Sequence, residues 1–264
     1  NMKNNTQNQI SPALSRGLRV LELLAQEESE LSLKSISERL SIPTPSLWRI
    51  LCVLRDNGYL LFDKNKKTYR LGFKFLYLGN ILLHRMGFRS QARGYLKQLV
   101  ELTGETAELS ARVKDQLILI DQFEGPEAVR LFSRIGSAYP YFHATAPGKV
   151  YLAHITEEKL KRVMDRMGLP KITKHTITNF TELENELKLV NERGYGFDRQ
   201  EMRIGVSRIA APVYDHLGKV VACLGIAGPS FRITTKNYQK IGKRTKDLAD
   251  QLSKELSQQI SSVL

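Results

Sequence analysis

SLKSISERLSIPTPSLWRILCVLRDNGYLLFDKNKKTYRLG, Ser32 to Gly72, decides how the first third of the chain folds. It reads as two short helices, a tight turn and a basic hairpin. In the first helix Ile36 and Leu40 share a face, and Ile42 follows in the turn. In the second, Leu47, Ile50, Leu51 and Leu54 recur at the three-and-four spacing of an amphipathic helix. Thr44, Pro45, Ser46, Trp48 and Arg49 are left on or near the outward side. Pro43 and Pro45 begin this helix, where proline forfeits no hydrogen bond, and Thr44 or Ser46 is available to cap it. Asn57-Gly58 stops it. Tyr59 to Phe62 and Thr68 to Leu71 then flank a lysine-rich tip, Asp63 to Lys67, as a wing.

Small hydroxyls, an arginine and an aromatic at a helix N-terminus suit the floor of a DNA major groove. The same periodicity also describes an ordinary helical hairpin with solvated lysines. A basic hairpin directly after the two helices favours DNA, because phosphate contacts supply most non-specific affinity. Thr44, Pro45, Ser46, Trp48 and Arg49 are therefore expected at base edges, Arg49 with a phosphate as the other option. Lys64, Lys66, Lys67 and Arg70 are expected on phosphates or in the minor groove. Lys34 and Ser35, at the first helix's start, are expected on the DNA backbone.

The chain has 264 residues, enough for two domains, with 42% hydrophobic and 25% charged residues. Its net charge of +13 and pI near 9.7 are unusual. The excess is denser at the N-terminal end but not confined there, so it supports a nucleic-acid partner without locating the contact. A generally basic proteome is the other explanation. Cys52 and Cys223 each sit in an apolar run and read as buried free thiols of a reducing cytosol. No signal peptide opens the sequence and no apolar run approaches the ~20 residues of a membrane span, so a cytoplasmic protein with no membrane partner is expected.

Residues 1–11, polar and rich in Asn and Gln, are expected to form a disordered arm. In Pro12 to Gln26, Leu14, Leu18, Leu21 and Ala25 form a stripe with Leu24 beside it, and Arg16 and Arg19 lie off it. This helix completes a winged helix-turn-helix domain over residues 12–72. Residues 73–86 read as a linker helix so apolar (FKFLYLGNILLH) that burial on more than one side is expected. It is either a plain core helix or one shared between the chain's own domains and a second subunit.

Residues 87–264 change character. A helix from Ser90 to Thr103 ends at Gly104, and strands follow at Thr106 to Val113 and Gln116 to Phe123, turning at Lys114-Asp115. A third strand is expected at Ala128 to Ile135. Helices are expected at Gly148 to His154, Thr156 to Met167 and Phe180 to Arg193. Strands near Gly196 to Asp198, Val206 to Tyr214 and Lys219 to Ala227 precede a final helix, Thr235 to Ile260. The expected fold class is thus mixed: an all-α winged-helix domain, a linker helix, then an α+β domain with an antiparallel sheet.

Several segments together resemble the IclR-type bacterial transcriptional regulators across nearly the whole chain. They are SRGLRVLELL (Ser15 to Leu24), IPTPSLWRILCVLRDNGYL (Ile42 to Leu60), YRLG (Tyr69 to Gly72), HATAPGKVYLA (His143 to Ala153), RGYGFDRQEMRIGVSRIAAPVYD (Arg193 to Asp215) and IAGP (Ile226 to Pro229). The resemblance implies a winged helix-turn-helix dimer, often paired into a tetramer. It also implies a GAF-like domain whose small effector biases operator binding. Ala146, Asp198, Arg208, Gly225 and Ala227 align with positions lining the family's pocket. Relatives that bind small oxo-acids tend to carry hydroxyls at Gly225 and Ala227 and a small residue at Arg208, so a larger or differently shaped anion is expected here. Arg208 either grips its carboxylate, with Tyr139 or Tyr141 along the apolar wall, or pairs internally with Asp198 or Glu201.

In HATAPGK, small residues precede a helix start at Gly148, which either offers backbone N–H groups to an anion or simply packs tightly. It is not a Walker motif. Asp198 and Glu201, two carboxylates three apart, are of a type that serves acid-base work but is more often solvated or holds a loop. His84, His143, His154, His175 and His216 are scattered without a nucleophile, so no catalytic residue is assigned. No CxxC or HxxxH spacing supports a metal site, and no cofactor is expected. The expected function is an oligomeric, sequence-specific DNA-binding regulator responding to a small, anionic metabolite. A metal-responsive regulator or an enzyme with a GAF-like domain is the alternative. Two recognition helices of a dimer would enter grooves about 34–36 Å apart, on a palindromic or directly repeated operator.

Overall fold

The structure is a computed structural model that describes residues 11–113, 116–139 and 141–261. The N-terminal polar stretch up to residue 10 and the Lys114-Asp115 turn lie outside the described residues. The chain divides between Arg85 and Met86 into two compact units.

In the first unit, α1 (Pro12–Gln26), α2 (Leu33–Leu40) and α3 (Thr44–Asp56) surround a core that includes Val20, Leu24, Ile36, Leu47 and Leu51. The stripe expected on α1 is corrected: Leu14 and Leu18 are 63% and 52% exposed, and Gly17, Val20 and Leu24 face inward instead. Gly17 lies against Ile50 of α3. Ser32 caps α2 by accepting the Ser35 N–H, and α2 ends at Ser41 in the left-handed region (φ 52°). Pro43 is the N-cap of α3, and neither Thr44 nor Ser46 makes the capping bond expected of it. Cys52 is half-buried rather than buried.

A two-residue strand that the sequence did not announce, β1 (Leu31–Ser32), pairs with β3 (Thr68–Leu71), which pairs with β2 (Leu60–Asp63). The wing turns where Asp63 Oδ1 accepts the N–H groups of Asn65 and Lys66. The unit ends with α4 (Lys74–Arg85), in which no residue is buried within this single chain, contrary to the burial expected on more than one side. Leu76 and Leu82 are 73% and 57% exposed.

The second unit opens with α5 (Gly87–Thr103), stopped by Gly104 at φ 71°. β4 (Thr106–Val113), β5 (Gln116–Phe123), β6 (Gly196–Arg199), β7 (Val206–Tyr214) and β8 (Val220–Pro229) form one antiparallel sheet in the order β5-β4-β8-β7-β6. A 3-10 turn at Phe142–Ala144 leads into α6 (Ala146–Ala153), followed by α7 (Glu157–Met167), α8 (Phe180–Arg193) and the closing α9 (Tyr238–Ser261). The strand expected at Ala128 to Ile135 is not formed. Side chains take the place of a ladder there: Ser133 donates its N–H to Gln122 and its hydroxyl to Glu108, and Thr106 donates to the Leu131 carbonyl. The only bridge in this stretch among the described residues is Ile118 to Ala138.

Register builds the site. Glu108 sits opposite Gly225, Gly225 opposite Ala210, and Ala210 opposite Gly196. The adjacent row runs Thr106, Ala227, Arg208, Asp198. Side chains two apart share a face, so Glu108, Arg208 and Asp198 converge over a floor of Gly225 and Ala227. A Cβ on Gly225 would overlap the Ile209 carbonyl oxygen and crowd Ala210. Gly225→Ala is therefore expected to lower stability by about 1–3 kcal/mol, read from urea unfolding.

Candidate functional sites

The first site is the outer face of α3 with the wing. Thr44, Pro45 and Arg49 are exposed, and Trp48, a large aromatic, is 55% exposed with no core role. Ser46 is half-buried and accepts a hydrogen bond from Arg16 at 3.2 Å, so it presents an arginine rather than a free hydroxyl. Arg19 ties the helix-turn-helix together through the Leu40 carbonyl at 2.9 Å. Arg49 curls back toward the Pro45 carbonyl at 3.4 Å. Lys34 is exposed beside Glu38, whereas Ser35 is half-buried with its N–H already used by Ser32.

On the wing, Glu30 accepts from Thr68 at 2.6 Å and lies 3.4 Å from Arg70 and 4.0 Å from Lys66. Lys64 and Lys67 are exposed, with no ion pair among the described residues. Arg16 and Glu30 carry no signal in the sequence, because each acts across a contact that only the fold creates.

The second site lies on the sheet face. Arg208 is 12% exposed, with Nε 3.7 Å from Glu108 Oε2 and Nη1 3.6 Å from Asp198 Oδ2. Both distances exceed a hydrogen bond, and Arg208 Nε, Nη1 and Asp198 Oδ2 are buried without hydrogen-bond partners. Glu108 is held by Ser133 Oγ (2.7 Å) and the Tyr139 hydroxyl (3.0 Å). Asp198 Oδ1 accepts the Glu201 N–H at 2.8 Å. Beside Arg208 a cavity of about 150 Å³ is walled by Ser133, Tyr139, Thr145 and Met202. That is room for a compact ligand rather than a larger one.

Of the other residues expected here, Gly225 lines a smaller void of about 10 Å³ next to Glu108 and Arg208. Ala227 lies under Arg208 in the sheet. Tyr141 meets His143 edge-on and lines neither space. Ala146 packs with Val150, Val190 and Cys223. Gly148 is not open to an anion: its N–H is bonded to Thr145 Oγ1, and a side chain there would strike Phe142. Lys149, 1% exposed, donates to the Phe197 carbonyl (2.9 Å) and Glu201 (2.6 Å), so Glu201 belongs to Lys149 and not to Arg208.

Glu108, Ser133 and Thr145 are not among the residues the sequence pointed to. The signal available was β4 itself: Thr106, Glu108 and Ser110 alternate with Ala107, Leu109 and Ala111, and a polar face on a central strand marks a site when both faces are covered.

Burial raises the pKa of Asp198 to about 6; Arg208 and Lys149 work against the shift and Glu201 with it. Burial opposes the charge of Arg208, but Glu108, Tyr139 and Asp198 outweigh it and its pKa is raised. Burial and the neighbouring Glu108 hold the Tyr139 phenol well above its ordinary value.

Residues 13–64 match the family described as IclR helix-turn-helix domain, and residues 81–254 match bacterial transcriptional regulator IclR C-terminal. The chain is 31% identical over 241 residues to the HTH-type transcriptional repressor AllR of Escherichia coli K12, covering 91% of this chain and 89% of AllR. It is similar in structure to an IclR transcriptional regulator from Alicyclobacillus acidocaldarius (TM-score 0.80, 28% identity, covering 93% of this chain and 99% of that one). An IclR homologue from Microbacterium hydrocarbonoxydans, complexed with 4-hydroxybenzoate, shares the fold (TM-score 0.75, 21% identity, covering 92% and 98%).

A winged helix-turn-helix followed by a ligand-type α+β domain defines a DNA-binding transcriptional regulator with an effector-binding C-terminal domain, not an enzyme. The chain belongs to the IclR family. No helix among the described residues is long and apolar enough to cross a membrane.

Because the folded pKa of Asp198 lies above its unfolded value, the native state holds the proton more tightly. Its contribution to stability is full below pH ~4 and is lost as pH rises through 6. Wild type is therefore expected to lose roughly 2–3 kcal/mol relative to Asp198→Asn between pH 4 and 7. Parallel urea titrations across that range check it, and a constant difference would remove Asp198 from the buried charge cluster.

Proposed function

We propose that this regulator works as an oligomer, at least a dimer, that grips a palindromic or directly repeated operator. Its α3 helices enter successive major grooves and its wings hold phosphates. In this reading Thr44, Pro45, Trp48 and Arg49 meet base edges, with Arg16 supporting Ser46. Lys64 and Lys67 are the freer phosphate contacts, with Lys66 and Arg70 shared between DNA and Glu30, and Lys34 near the backbone. The observation that carries it is Trp48, 55% exposed on the outer face of a helix whose inner face is core. The exposed apolar side of α4 supports a second copy of the chain as its cover. Such a protein acts in the cytoplasm, where its DNA lies.

The C-terminal domain, in the same reading, takes a compact anionic effector beside Arg208. Two buried guanidinium N–H groups without hydrogen bonds support a carboxylate, which would replace contacts of 3.6–3.7 Å with short charge-assisted bonds. The 4-hydroxybenzoate held by one homologue is a small carboxylate of the kind this arrangement suits. Effector binding changes operator affinity only through a difference in its affinity for two states of the protein.

A gel shift with the full chain on DNA upstream of its own gene and neighbouring genes, in excess competitor near physiological salt, tests the reading. A discrete competitor-resistant band is expected. Trp48→Ala is expected to weaken it by about tenfold or more, with unfolding unchanged. Combined Lys64→Ala and Lys67→Ala should flatten the salt slope by roughly 0.9 for each phosphate that the wing no longer neutralises. No band on any fragment, with or without metabolites of the adjacent pathway, overturns it. For an effector found this way, Arg208→Ala is expected to cost about tenfold or more in affinity, and an unchanged value removes Arg208 from the pocket.

A further inference from the structure

Near the end of β4, at Arg112, and where the β7–β8 hairpin turns at Gly218, a second concave space of about 290 Å³ opens against α6 and the start of α7. It shares no lining residue with the pocket at Arg208. Arg112, Lys159 and Lys219 are among its lining residues, and none of these lining residues is acidic. Three carboxylates of the adjoining segments, among the described residues, are occupied elsewhere. Glu157 and Glu158 pair with Lys161 and Arg162 along α7, and Asp215 accepts the Leu217 and Lys219 N–H groups within the hairpin. Neither Lys159 nor Lys219 makes an ion pair among the described residues.

The floor is Tyr151, 1% exposed, whose hydroxyl is buried without a hydrogen-bond partner. The Arg112 guanidinium and the Lys159 ammonium lie over its ring at 5.0 and 5.9 Å, so the ring face gathers two of the three cations. Thr156 caps the eleven-residue α7 at the rim, and the positive end of that helix adds to the field. His154 forms a wall and not a donor, since its ring nitrogens already meet the Val150 carbonyl and the Tyr214 hydroxyl.

We propose that this cleft binds the phosphate group of a small metabolite. Three convergent cations with no lining carboxylate suit a dianion better than a single carboxylate, and lysines and arginines meet phosphate oxygens with charge-assisted bonds. The volume sits at the lower edge of small-molecule sites, about 300–1,000 Å³, and exceeds what a bare phosphate fills, which favours a phosphate monoester. It is too small and too concave for a duplex. The inference is independent of the effector reading at Arg208.

Isothermal titration of the full chain at constant ionic strength tests it, with ribose 5-phosphate, inorganic phosphate and unphosphorylated ribose as probes. One equivalent of ribose 5-phosphate is expected to bind, and ribose is not. Combined Lys159→Ala and Lys219→Ala should weaken that binding by about tenfold or more, while Lys243→Ala on α9 and Arg208→Ala leave it unchanged. Equal binding of inorganic phosphate would assign the site to the free ion within the same chemistry. Should the double variant melt early, Lys219→Ala alone, on the exposed hairpin, carries the test. Absence of saturable binding by either phosphate compound, or binding that the lysine variants leave untouched, overturns the proposal. So does a lysine effect confined to duplex DNA.

Discussion

The C-terminal unit depends on one constraint: a sheet covered on both faces must neutralise every charge it keeps. Several of the buried charges here also fasten a segment without regular structure. Glu105 binds Arg232, and Arg232 also donates to the Val129 carbonyl, so one ion pair fixes both the chain after β8 and the loop after β5. Glu108 holds Ser133 and Tyr139. Lys149 holds the loop after β6 through Glu201 and Phe197. Asp121, 1% exposed, is met by Arg89 and Arg93 of α5. The loops that wall the pocket are thus tied to the sheet by side chains, which explains why the stretch around Ser133 forgoes a ladder.

The N-terminal unit solves a different problem. Its core is almost wholly aliphatic, and its charges lie at the surface, where Arg39 meets Glu27, Arg16 meets Ser46 and Arg19 meets the last carbonyl of α2. That division leaves the outer face of α3 free of structural duty, and a helix face free of structural duty is one that can read a groove without costing stability. Glu30 lies beside two wing cations, and in the proposed DNA-binding mode phosphates would compete with it for Lys66 and Arg70.

How much of this was legible in the sequence follows from the range of each interaction. The helix-turn-helix, the wing, the β7–β8 hairpin and the cap at Gly104 are local, and their residues announced them. The face of α1 was misread in part because its leucines fit two faces: Leu21 does pack against the core, but Gly17, Val20 and Leu24 carry the buried face while Leu14 and Leu18 stay exposed. Of the residues proposed for the pocket, Arg208 and Tyr139 line the cavity and Asp198 lies beside Arg208; the resemblance pointed to Arg208 and Asp198, and its aromatic character to Tyr139. Glu108 was missed because it reaches the site across the β4–β8 pairing, more than a hundred residues away in the chain. Tyr141 and Gly148 looked suitable by type, and backbone direction took them elsewhere.

The alternatives left open for Arg208 are therefore not exclusive. Internal pairing is real, but at 3.6 and 3.7 Å it leaves two guanidinium N–H groups and one Asp198 oxygen unbonded in a buried setting. A partly satisfied buried network costs more than either a complete one or none. In the proposed effector reading, the free energy forfeited there is what a ligand of the right chemistry would recover on entering. The carboxylates would then set the terms of entry: a ligand would have to offer Arg208 better geometry than Glu108 and Asp198 do, while tolerating their charge. Glu108 is fixed by two hydroxyls and cannot retreat, whereas Asp198, with its pKa raised to about 6, is the partner able to shed its charge. On that reading selectivity rests on this competition, and the shape of the cavity decides only which of the competing groups can reach it.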